Sequence, residues 1–260
     1  MKEIPKFSVS TYLGLEQQSN KIQSIFSRFL LMVMFENIVK GITSSFFILY
    51  IIDDQGFERA SIITSILLIV KLLTDYPSGS LSDYIGQSKV LSLSYGFYSI
   101  AIGILTIADN FLTFIIVAVF LGLADAQSSG TIFSWLDNNY QNLIDDNDPD
   151  MKNYAYAKTR ARTLYRVILG VAVIIGGTLS TRVSRVFVFR IEVILALVAI
   201  VASLSLLQTP NNSIKSLNSG FLDHLKGGLS FTFSSKKKLL FMLVTSVYDA
   251  GWVIWISIIL

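Results

Sequence analysis

Cysteine is absent from this 260-residue chain, which excludes a disulfide framework, a thiolate metal site and a cysteine nucleophile. Histidine occurs once, as His224 in a polar stretch, so neither a His-Glu-x-x-His zinc site nor a serine–histidine constellation around Ser129-Gly130 can be assembled. No enzymatic activity, metal or cofactor is therefore expected. Charge is scarce too: 15% of residues are charged and 52% are hydrophobic, where soluble domains carry roughly 25% charged residues. The pI near 9.0 does not point to nucleic acid, because Lys and Arg lie between apolar runs and not on one basic face. A cleavable signal peptide is not expected either. Residues 1–28 are polar and of mixed charge, and the apolar run that follows is too long for an h-region.

What the sequence has is long apolar runs, and a mean hydropathy of +0.59. A helix needs roughly 20 apolar residues to cross the hydrocarbon core. Spans are predicted at 29–52, 60–78, 90–108, 111–134, 163–181, 187–207 and 239–260. The fold class expected is an all-α integral membrane protein. Short connectors after the first three spans predict antiparallel hairpins. The polar stretches 135–162 and 208–238 must lie outside the hydrocarbon, because lipid cannot satisfy irregular backbone.

Orientation follows from the basic residues. With the N-terminus cytoplasmic, that side holds fifteen Lys and Arg, and the other side four, Arg59, Arg182, Arg185 and Arg190. The excess of basic residues marks the cytoplasmic face, so the chain is expected to be multi-pass in the cell membrane with its N-terminus inside.

Ionisable residues inside the spans are costly and mark pathways or pairs. Glu36 and Lys40 in the first span, and Lys71 and Asp75 in the second, are each four residues apart and share a helix face. Asp125 lies in the fourth span and Asp249 in the seventh. Two readings stand for the pairs: contact with a substrate or proton, or mutual neutralisation within one helix. Arg190 and Glu192, near the end of the sixth span, read as snorkelling side chains. Trp135, Trp252 and Trp255 read as interfacial belt or packing.

After the second span comes Gly79-Ser80-Leu81-Ser82-Asp83-Tyr84-Ile85-Gly86-Gln87-Ser88-Lys89. It resembles the signature loop of the major facilitator superfamily (MFS), Gly-x-Leu-x-Asp-x-x-Gly followed by basic residues, and lies between the second and third spans as that family requires. Gly79 would permit close helix approach, Gly86 a tight turn, and Asp83 a charge for a helix terminus or basic partner. The chain departs from the pattern where Gln87 and Ser88 precede the single Lys89. The segment Gly122 to Gly130, leading to Trp135-Leu136-Asp137, is also similar to fourth-helix segments of prokaryotic members. The fourth span lacks Arg and the fifth lacks Pro, so the motifs of proton-coupled drug exporters are absent.

The resemblance implies a six-helix bundle of two inverted three-helix repeats at 29–207, a cytoplasmic segment at 1–28, a connector at 208–238 and the start of a second bundle at 239–260. Gly79-Ser80-Leu81-Ser82 and Gly177-Thr178-Leu179-Ser180 form a short trace of such a repeat. The function implied is secondary active transport of a small solute by alternating access, in a lipid bilayer, with a proton or another coupling ion. Gly79, Leu81, Asp83, Gly86 and Lys89 would be the cytoplasmic gate, and Glu36, Lys40, Lys71, Asp75, Asp125 and Asp249 the candidate substrate or proton contacts. The alternative is a truncated or split half that is inactive alone, or that pairs with a second half or a second copy. An apolar run that ends at Leu260 without a flanking anchor prompts that alternative.

Overall fold

A computed structural model describes residues 9–143, 148, 150–207, 230, 234–237, 240 and 244. The chain divides into two compact units, Met1–Ile214 and Lys215–Leu260. Apart from residues 240 and 244, the predicted seventh span, with Asp249, Trp252 and Trp255, lies outside the described residues, as do His224 and most of the 208–238 connector.

Within the first unit the described residues form helices and no strand. In order they are α1 (Val9–Leu13), α2 (Asn20–Ser44), α3 (Phe47–Gln55), α4 (Phe57–Ile85), α5 (Gln87–Leu105), α6 (Phe111–Ser128), α7 (Thr131–Gln141), α8 (Lys152–Arg182) and α9 (Arg185–Leu206). Five stretches are long and apolar enough to cross a membrane: Asn20–Gln55, Gln87–Leu105, Phe111–Gln141, Lys152–Arg182 and Arg185–Leu206. The predicted second span falls on α4, which has the length but is not among the five.

Helix α2 starts at Asn20, ahead of the predicted first span, where the Ser19 side chain accepts from the Ile22 N–H, and Leu13 and Leu15 before it are buried. Two expectations need correction. The first and fourth spans are each interrupted, at Ser45-Phe46 between α2 and α3, and at Ser129-Gly130 between α6 and α7, where Gly130 takes φ +71°. The stretch 135–162 is largely helical, because α7 runs on to Gln141 and α8 starts at Lys152. At 1.5 Å per residue α8 is about 46 Å long, so its basic first turns extend past a hydrocarbon layer of about 30 Å. There Asp148 accepts the Tyr140 hydroxyl and the Asn153 and Tyr154 N–H groups, and Lys158 pairs with Asp137 at 2.7 Å.

Of the hairpins expected from the short connectors, α5 on α6 is extensive, whereas α4 packs little on α3 or α5. α4 and α5 each lie along α6, α5 also lies along α9, and α2 lies along α8 and α9. Small residues set this arrangement. A Cβ on Gly122 of α6 would stand 2.7 Å from the Leu67 carbonyl oxygen of α4, and one on Gly176 of α8 would overlap the Ile42 backbone of α2. The pattern survives exchanging the first three spans with the last three. α4 on α6 then maps onto α8 on α2, α5 on α6 onto α9 on α2, and the α5–α9 contact onto itself.

Candidate functional site

Glu36 and Lys40 sit one turn apart on α2 and form an ion pair of 3.3 Å. Lys40 also reaches across to α6, where its ammonium is 3.2 Å from Asp125 Oδ1 and 2.7 Å from Ser128 Oγ. Ser128 is the last residue of α6, so the ammonium also faces the partial negative charge of a helix C-terminus. Two carboxylates against one ammonium leave one negative charge uncompensated.

The α6 side of this cluster is pinned from two directions. Ser94 of α5 donates to the Ala124 carbonyl at 2.7 Å, and Ser78 of α4 donates to the Ala126 carbonyl at 2.8 Å. The carbonyls on either side of Asp125 are therefore held by different helices, which fixes where its carboxylate starts. Lys40, Glu36 and Asp125 side chains retain 27%, 20% and 33% of their accessible surface, so the cluster is lodged between helices yet open on one side.

A second polar contact lies beside it. Thr43 belongs to the same α2 face as Glu36 and Lys40, at four- and three-residue steps. Its hydroxyl donates to Glu192 Oε1 of α9 at 2.8 Å, and the Tyr98 hydroxyl of α5 donates to the same oxygen at 2.6 Å. Glu192 is wholly buried, which corrects the expectation of snorkelling; Arg190, two residues earlier, is exposed. On a helix the two side chains point about 200° apart, so one can face the bundle while the other faces out. Sequence reasoning missed Ser128, Thr43, Tyr98 and the role of Glu192. The available signal was a lone carboxylate within an apolar run.

Of the other sequence candidates, Lys71 is half-buried and Asp75 is exposed on α4, and among the described residues they form no ion pair with each other. Neutralisation within α4 is therefore not seen, and α4 lies on α6 and not along α2, so Lys71 does not join Lys40.

The signature segment is not a loop. α4 runs to Ile85, Gly86 takes φ +96° while its N–H bonds the Ser82 carbonyl at 3.0 Å, and α5 begins at Gln87. Leu81 is half-buried, and Asp83 and Lys89 are exposed. Gly79 is exposed, and a Cβ there would meet nothing within 4 Å among the described residues, whose tight helix approaches lie instead at Gly122 and Gly176. Gln87 and Ser88 are buried, with Ser88 donating to the Ser203 carbonyl of α9 at 2.8 Å. Trp135 is in the core and not in an interfacial belt.

An open cleft lined by Tyr50, Asp53, Asp54, Ser184, Arg185 and Val186 shares no residue with this cluster. An exposed Arg185–Asp53 pair of 2.6 Å crosses it.

The described part is thus an all-helical integral membrane protein by the length and composition of its helices. No protein-family model matches the chain, and no curated protein is detectably similar to it.

Proposed function

We propose that the chain is a secondary active transporter of the MFS type, moving a small solute by alternating access in the cell membrane with its N-terminus cytoplasmic. The observation that carries this reading is the Glu36–Lys40–Asp125–Ser128 cluster, which joins the first and fourth spans close to where both helices are interrupted. Charges at such positions in apolar spans are expensive, and they characteristically mark solute or proton pathways. Interrupted helices around a polar site are a recurrent transporter device. Ser129 and Gly130 at the second interruption are exposed, and irregular backbone at membrane depth is tolerated only against protein or a watery cavity. A second half or a second copy facing this side would enclose such a cavity.

The packing pattern supports the same reading, since its main helix pairings are kept when the two sets of three spans are exchanged. In this scheme Asp125 and Glu36 compete for Lys40. A solute anion can displace a carboxylate from Lys40, and a proton or another cation can neutralise the spare negative charge. Either event frees α2 from α6.

The test is flux of a panel of labelled solutes into lipid vesicles containing the chain, driven by an imposed pH gradient, with Asp125→Asn as control. Gradient-dependent flux that the substitution abolishes is expected. Flux that Asp125→Asn leaves unchanged removes the cluster from the mechanism, and a folded protein that moves no member of a broad panel counts against transport by this chain.

A further inference from the structure

Glu192 is used by nothing proposed so far, yet its surroundings are unusual for a carboxylate. Its side chain is wholly buried between α2, α5 and α9, within one of the five membrane-spanning stretches. Thr43 and Tyr98 both donate to Oε1, while Oε2 has no hydrogen-bond partner. No cation among the described residues compensates it. On α2 the nearest ammonium, Lys40, is committed to Glu36 and Asp125. On α5 the titratable groups are Tyr98, Tyr95 and Lys89, the last exposed in the first turn, more than two turns before Tyr98. α8 has no titratable residue between Arg166 and Arg182, both exposed, and Arg190 of α9 itself is exposed. At the α3 end, Phe189 packs on Tyr50, and the charges there, Asp53 and Asp54, include one already paired with Arg185.

An isolated ionised carboxylate in such surroundings is far costlier than a neutral acid with one unsatisfied hydroxyl, so the group takes up a proton instead of staying charged. The division of hydrogen bonds fits a carboxylic acid: Oε1 serves as the carbonyl oxygen receiving two hydroxyls, and Oε2 carries the proton. We propose that Glu192 is a proton-binding site in the membrane interior, occupied at neutral pH, with Thr43 and Tyr98 holding its carbonyl oxygen.

Infrared spectroscopy of the whole chain in lipid vesicles tests this without any knowledge of the solute. At neutral pH a deuterium-sensitive carboxylic-acid carbonyl band is expected in the native chain. It should be lost in Glu192→Gln, which keeps an oxygen for both donors, and kept in Glu36→Gln. In Tyr98→Phe the band should move to higher wavenumber, because one hydrogen bond to the carbonyl oxygen is gone. Absence of the band, or its survival in Glu192→Gln, overturns the proposal. Should Glu192→Gln fail to fold, Tyr98→Phe decides, since an unmoved band there is equally fatal. Either result leaves the transport reading standing, because that rests on Asp125 and is read by flux.

Discussion

Lys40 Nζ on α2 stands 3.2 Å from Asp125 Oδ1 on α6, a contact between residues 85 positions apart that ties the first span to the fourth. The same ammonium is claimed by Glu36, one turn before it. A cation shared by two carboxylates can exchange partners as helices move, whereas an isolated pair can only break.

If that sharing is real, Lys40→Met and Asp125→Asn will not be additive. Lys40→Met leaves two carboxylates with no cation, Asp125→Asn leaves Glu36 and Lys40 as a one-to-one pair, and in the double variant only Glu36 stays charged, so the cost of losing Lys40 depends on whether Asp125 is there. A double-mutant cycle on thermal unfolding in detergent should give a coupling of about 1 to 2 kcal/mol, within the range for directly interacting residues. Additive effects would mean that the two side chains do not meet in the folded protein.

Five of the seven predicted spans were legible in the sequence because each is a long apolar run, and Glu36, Lys40 and Asp125 stood out as charges inside such runs. Their assembly was not legible. It depends on α2 lying along α8 and α9 while α4 goes to α6, and tight contacts at Gly176 and Gly122 mark the α2–α8 and α4–α6 pairings. A hairpin rule based on connector length speaks only of sequential neighbours. For the same reason Glu192 read as peripheral, since nothing in the linear order shows that Thr43 and Tyr98 converge on it.

The three glycines separate packing from gating. Gly122→Ala places a methyl against the Leu67 carbonyl and Val70, which should cost about 1 to 3 kcal/mol as overpacking. Gly176→Ala should be worse, because its methyl would overlap the Ile42 backbone outright and not merely crowd it. Gly79→Ala has room, and replaces a helical glycine, so stability should hold or rise by up to about 1 kcal/mol. Melting temperatures of the three variants check the order. If Gly79→Ala instead lowers the melting point as Gly122→Ala does, the exposed placement of Gly79 is wrong.

The absence of cysteine makes topology directly measurable, because any introduced thiol is unique. Asp109→Cys lies in the connector between α5 and α6, and Asp150→Cys just before α8. With the basic ends of the helices cytoplasmic, a membrane-impermeant maleimide added to intact cells should label the first and spare the second. Labelling of Cys at position 150 alone would invert the orientation, and labelling of both would break the alternation of spans.

Ser88 tests whether the departure from the signature pattern has a structural cause. In the MFS pattern basic residues follow the second glycine, where this chain has Gln87 and then Ser88; both are buried, and Ser88 donates to the Ser203 carbonyl and stands beside the 2.7 Å Ser92–Ser203 hydroxyl contact. A guanidinium at this place would be driven into the α5–α9 packing with no carboxylate shown there to receive it. Ser88→Arg should therefore lower stability by about 2 kcal/mol or more, the scale of a buried charge left unpaired after local relaxation. Ser88→Ala removes one hydrogen bond and should cost about 1 kcal/mol. Thermal unfolding of both variants is the measurement. A harmless Ser88→Arg would show that the α4–α5 turn is free of α9 and open to a basic latch residue, and the serine at this position would then have no structural explanation.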